Sequence, residues 1–232
     1  MALLLPVAVM LLVSTLTGGL VVTDHSSAAP LLASIGVTAW LLGVRWYGFR
    51  GLGLRGGRPL FAGIGFATLG WVVLVLVRLV AVPTLPVAAE EGGRTFIFLL
   101  MFEAFAVQVW TFGLLFRLFA DWRGGLTAAI GSGIMFGAVG MLLFQESFTG
   151  SFSGFLFFLF WGLFYGFIRL RTGSLIGMVI IQVMQSLTAW TVLVPPSPPP
   201  AAGLQTVYLV TSIAFVILIW RLWPKELEDY RV

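Results

Sequence analysis

The sequence contains no cysteine, which excludes disulfides, thiol nucleophiles and thiolate metal centres and leaves the redox compartment unreadable. It contains one histidine, His25. A protein zinc site draws three or four ligands from Cys, His and carboxylates, so no metal ligand set is expected. Charge is also scarce: 9% of the 232 residues are charged, against about 25% in soluble domains. What fills the chain instead is apolar, with 59% hydrophobic residues, 21 Phe and 9 Trp. So much apolar surface exceeds what one soluble core can bury, and lipid is expected to be the main solvent.

The net charge of +4 does not point to nucleic acid. The basic residues are spread over short connections between apolar runs, the pattern of membrane orientation. The expected fold is therefore all-α, a polytopic transmembrane helical bundle in one domain (1–232). About eight spans are expected, near 2–22, 30–48, 59–82, 95–118, 125–144, 152–169, 174–194 and 203–222. Each approaches the roughly 20 residues needed to cross the hydrocarbon. Residues 1–22 followed by Ser27-Ala28-Ala29 have some character of a signal peptide, but a basic first region is missing, and the segment reads as a retained helix.

Orientation follows from Arg and Lys. Arg45, Arg50, Arg55 and Arg58, then Arg117 and Arg123, then Arg169 and Arg171, then Arg221, Lys225 and Arg231 fall on one side of an eight-span topology. Arg94, Asp24, Glu90, Glu91 and Glu146 fall on the other. The positive-inside rule then places both termini in the cytoplasm, with the chain multi-pass in the inner (cytoplasmic) cell membrane. Trp46, Trp122, Trp220 and Trp223 fall at the expected cytoplasmic interface. The cluster Glu90-Glu91-Gly92-Gly93-Arg94 reads as solvated charge.

Polar residues inside a membrane are costly and each needs a reason. Arg78 lies near the outer end of span three and Glu103 about two turns into span four from the same side. They are placed to pair across adjacent helices. Alternatively Arg78 snorkels and Glu103 takes a backbone or water partner. Gln182 and Gln185 share a face of span seven, and with Gln108 are expected to make interhelical hydrogen bonds. Gly133 and Gly137 in span five, with Gly140 nearby, and Gly162 and Gly166 in span six, have the spacing of close helix packing. Span six is aromatic on all faces, which reads as core filling and lipid contact. The sharper reading makes Phe157, Trp161 and Phe164 contacts for a partner subunit, a quinone or a carotenoid-like pigment. His25, outside span one, reads as a loop histidine, with axial ligation of a haem or chlorophyll metal as the alternative.

The stretch Leu170-Arg171-Thr172-Gly173-Ser174-Leu175 and the helix after it resemble the C-terminal part of the CPBP family, the CAAX-protease and bacteriocin-processing (Abi) intramembrane metalloproteases. In that family the helix carries a His and, four residues on, an Asn or Asp; these positions hold Gln182 and Ser186 here. Phe136 to Gly140 matches the family's Phe-x-x-x-His, with Gly140 at the His. Gly113 matches the glycine closing Glu-Glu-x-x-x-Arg-Gly, which puts Val107 and Gln108 at the glutamates and Phe112 at the arginine. The resemblance covers roughly residues 100–190. It implies a CPBP-like bundle without the catalytic groups, since a general base must titrate and Val107, Gly140 and Gln182 do not.

The expected function is thus not enzymatic. It is that of an accessory or scaffold subunit of a larger membrane complex, photosynthetic (reaction-centre or light-harvesting) or respiratory. Other integral membrane subunits and lipid would be its partners, with no catalytic cofactor but with bound lipid, quinone, carotenoid or chlorophyll-type pigment. A divergent CPBP-type protease using Glu103 and a small-molecule transporter are the alternatives. Few intramembrane charges and no inverted repeat weigh against the last.

Overall fold

The structure, a computed structural model, describes residues 4–16, 25–82, 85–86, 96–143, 151–188, 193–194, 201–226 and 230–231. Asp24, Glu90, Glu91, Arg94, Glu146, the proline-rich run 195–200 and the side chain of His25 lie outside these residues.

The described chain is all-helical apart from one short strand pairing. Its helices are α1 (Leu4–Leu16), α2 (His25–Gly51), α3 (Arg58–Ala81), α4 (Phe96–Arg123), α5 (Gly125–Leu143), α6 (Phe152–Thr172), α7 (Ile176–Leu187) and α8 (Ala201–Leu222). Four of them, α3, α4, α6 and α8, are long and apolar enough to cross a membrane, while α1, α5 and α7 are shorter apolar helices. Each apolar segment read from the sequence overlaps one of these helices.

Local chemistry sets the boundaries. Pro59 sits in the first turn of α3, where its missing N–H costs nothing. The Ser151 hydroxyl caps α6 by accepting from the Gly154 N–H at 3.1 Å. Gly173, left-handed at φ 70°, closes the same helix and donates its N–H to the Arg169 carbonyl. Gly48, at φ 67°, breaks the helical path of α2 and turns the chain at its end.

One expectation is corrected. Span seven was read to residue 194, but helix α7 ends at Leu187. Leu193 and Val194 are extended and pair antiparallel with Leu85 and Pro86, Leu85 opposite Val194. Pro195 follows directly, and a residue preceding proline is driven out of the helical region.

Helix α6 is the hub. It packs against α5, α8 and α3, while α7 lies between α3 and α4, and α4 contacts α2, α5 and α7. Helix α1 packs chiefly on α2. The α5–α6 seam is built from the small residues flagged in the sequence. A Cβ on Gly133 would stand 2.7 Å from the Gly162 carbonyl oxygen, and one on Gly137 2.7 Å from that of Phe158. The two glycine motifs therefore meet each other inside the chain.

Aromatic rings fill the space beside that seam. Phe157 stacks on Tyr208 at 4.9 Å, Phe164 on Phe215 at 5.2 Å, and Phe136 meets Trp161 edge-on at 5.4 Å. Apolar side chains also cover the outside: Phe61, Leu76 and Val80 on α3 and Ile213, Ile217 and Trp220 on α8 are exposed. A surface of that kind fits hydrocarbon rather than water.

Candidate functional site

The most unusual local structure is in α4. Residues Leu99–Ala106 and Val109–Leu115 are π-helical, with i→i+5 hydrogen bonding, a rare geometry that is frequent at functional sites. In such a helix residues five apart come to one face, as residues four apart do in an α-helix. Glu103 and Gln108 are five apart, and on α7 Gln182 and Ser186 are four apart. The two helices therefore present matching polar pairs.

The pairs close into two rungs. The Ser186 hydroxyl donates to Glu103 Oε1 at 2.6 Å, and Gln108 Nε2 donates to Gln182 Oε1 at 2.5 Å. All four side chains are buried. Among the described residues, Gln108 Oε1 is buried without a hydrogen-bond partner. Gln185, beside Ser186, is also buried.

The carboxylate that the sequence set against Arg78 is thus held by Ser186. Arg78 is buried near the end of α3. Sequence reading expected interhelical hydrogen bonds from Gln108, Gln182 and Gln185, and the Gln108–Gln182 bond is one; Glu103 and Ser186 were read apart from them. The structure brings Glu103, Gln108, Gln182 and Ser186 to one seam. Val107 is buried in the core beside it. Phe112 sits among aromatics, 5.3 Å from Phe136 and 6.3 Å from Tyr165, and Gly140 is buried one turn beyond Phe136.

Phe157, Trp161 and Phe164, raised as contacts for a pigment or partner, are in the core with their faces taken by other rings of the chain. His25 is the first residue of α2.

Sequence reading missed one residue. Arg169, counted there among the interfacial cations, is fully buried. Its Nε donates to the Phe112 carbonyl at 3.1 Å and its Nη2 to the Gly51 carbonyl at 3.0 Å, and its guanidinium lies 4.9 Å from the Phe116 ring centroid. Gly53, at φ 87°, leaves the space it needs: a Cβ there would come within 2.6 Å of Arg169 Cζ. The Gly53 carbonyl accepts from Leu175 N–H at 2.8 Å, and Arg231 N–H donates to the Leu170 carbonyl at 2.9 Å. Arg169 and the 170–175 turn thus tie the α2–α3 connection, α4 and the C-terminal tail together. The sequence carried no signal for it, because its partners are backbone carbonyls of Phe112 and Gly51, remote along the chain.

Chemically the seam is poor in titrating groups. Amides do not ionise near neutral pH, and Glu103 is its one carboxyl. On the outer side of α4, two apolar grooves flank Met101 and Phe105. One of about 330 Å³ lies against α2 at Gly36, Val37 and Trp40, and one of about 240 Å³ lies against α7 at Val179 and Ile180.

Comparison with protein-family models, curated proteins and solved structures finds no match to this chain.

Proposed function

We propose that the chain is an integral membrane scaffold subunit with a CPBP-like arrangement and no hydrolytic chemistry, crossing the inner cell membrane about eight times with both termini in the cytoplasm. The observation that carries this reading is the Gln108–Gln182 rung. Two positions that the resemblance assigns to a glutamate and a histidine hold amides instead, bonded to each other. Neither amide activates water, while the pair joins two helices as a structural hydrogen bond does.

The exposed apolar faces of α3 and α8 support packing against other membrane subunits. The grooves beside Met101 and Phe105 are suited to a lipid chain, the tail of a quinone or a carotenoid. In this reading the complex served is a bioenergetic one, photosynthetic or respiratory.

The test is extraction from native membranes in mild detergent, followed by native electrophoresis, mass spectrometry of the band and its absorption spectrum. Co-migration with named membrane subunits is the expected result. Migration as a lone chain sinks the proposal.

A second reading rests on the Ser186–Glu103 contact: a divergent intramembrane hydrolase. It requires that purified protein cleave a membrane peptide and that Glu103→Gln abolish the cleavage without unfolding the bundle.

A further inference from the structure

We propose that Glu103, Ser186 and the amide oxygen of Gln108 form a binding site for a small monovalent cation of sodium's size. The proposal does not depend on the scaffold reading.

A carboxylate offers about four acceptor positions. Among the described residues Glu103 has one hydrogen-bond partner, the Ser186 hydroxyl, and no ion pair with a Lys or Arg. A charge in an apolar interior needs a counter-charge. The nearest rung repeats the deficit. Gln108 gives its N–H to Gln182 and keeps an oxygen with no donor. Of the donors on this face, the Ser186 hydroxyl and one Gln108 N–H are in use, and the Gln182 and Gln185 amides make no hydrogen bond to Glu103 or to the Gln108 oxygen among the described residues. The Glu103 carboxylate and the Gln108 oxygen remain in want of partners.

A hard cation takes such a set. The two rungs are one turn apart, about 5 Å, and a cation of calcium's or sodium's radius holds oxygens at about 2.3–2.6 Å. One ion between the rungs therefore reaches both. A proton on Glu103 satisfies one oxygen and leaves the Gln108 oxygen orphaned. The charge count selects a monovalent ion: with one carboxylate and otherwise neutral oxygens, a divalent ion leaves a net positive charge in the core. Glu103 is carried by the π-helical stretch Leu99–Ala106, a geometry frequent at functional sites.

The experiment uses the full chain in mild detergent, exchanged into choline chloride, with radiolabelled sodium as probe and the thermal unfolding midpoint followed at constant ionic strength. The wild type is expected to bind sodium at one saturable site per chain and to unfold at higher temperature as sodium replaces choline. Glu103→Gln, nearly isosteric and still an acceptor for Ser186, is expected to fold, to lose the binding and to show no sodium response. Gln108→Leu, which keeps the carboxylate, is expected to bind about tenfold more weakly, the loss of one ligand bond of about 1.4 kcal/mol. The proposal is overturned if wild type shows no saturable sodium binding, if Glu103→Gln binds equally well, or if the midpoint follows pH but not sodium.

Discussion

At the scale of single residues, the two glutamines and the arginine respond differently to substitution because their partners differ. Gln108→Leu leaves the Gln182 amide buried without a partner, and Gln182→Leu does the same to Gln108. Each single change is expected to cost about 1–3 kcal/mol, while the double change, which removes both polar groups, is expected to lie near wild type. A double-mutant cycle in denaturation experiments reads this directly; additive losses would mean that the amides do not work as a pair. Arg169 has no such exit. Its neighbours are the backbone carbonyls of Phe112 and Gly51, which no substitution deletes. Arg169→Met is expected to destabilise by about 3 kcal/mol or more. Arg169→Lys should not restore the loss, since one ammonium lacks the fork that reaches two divergent carbonyls. Equal stability of the Lys variant and wild type would refute the two-carbonyl role. Most of these residues were readable as polar outliers in apolar runs. Arg169 was not, because a cation close to a helix end looks the same in sequence whether it lies on the interface or is drawn into the bundle.

At the scale of elements, hydropathy located the helices because eight apolar stretches are punctuated by Gly, Pro and charge, and that information is local. Pairing is not local. In α-helical geometry Glu103 and Gln108 fall on different faces, so no sequence reading that assumes 3.6 residues per turn aligns them with Gln182 and Ser186. The π-helical path of α4 makes the match, and it implies an unusual tolerance. Deleting one residue between Glu103 and Gln108, such as Ala104, reduces their spacing to four and permits an α-helix with both rungs kept. With Glu103→Cys and Ser186→Cys introduced into this cysteine-free chain, a short bifunctional thiol reagent is expected to cross-link both the full-length and the shortened α4. A deletion at Leu118, outside the π-helical stretches, has no such compensation and is expected to lower the thermal midpoint more. The reverse order would show that the π geometry does not set the register. The α5–α6 seam behaves oppositely and tolerates nothing. Gly133→Val puts side-chain atoms into the Gly162 backbone and is expected to cost about 1–3 kcal/mol or to prevent folding, whereas Gly65→Ala on α3, where a Cβ meets open space, is expected to be nearly silent.

At the scale of the whole molecule, the remaining question is how the bundle sits in lipid, and exposed tryptophans and cations gather at the same set of helix ends. Trp46 near the end of α2, Trp122 near the end of α4, and Trp220 and Trp223 around the end of α8 are all exposed, where amphipathic rings prefer the headgroup region. The cations Arg50, Arg123, Arg171 and Arg221 lie in the last turns of the same or neighbouring helices. The tail is tied to that end by the Arg231–Leu170 hydrogen bond, so the C-terminus and the 170–175 turn must share one side whatever the number of crossings. Single cysteines answer the orientation, because the chain supplies none of its own. Arg231→Cys and Arg123→Cys are expected to react with a membrane-impermeant maleimide in inverted inner-membrane vesicles and to be protected in intact spheroplasts. A cysteine at Glu91 is expected to show the opposite pattern. Labelling of positions 91 and 231 from the same side would remove one crossing between them, reverse the positive-inside assignment for half the chain, and so overturn the eight-span topology as well as the cytoplasmic placement of both termini.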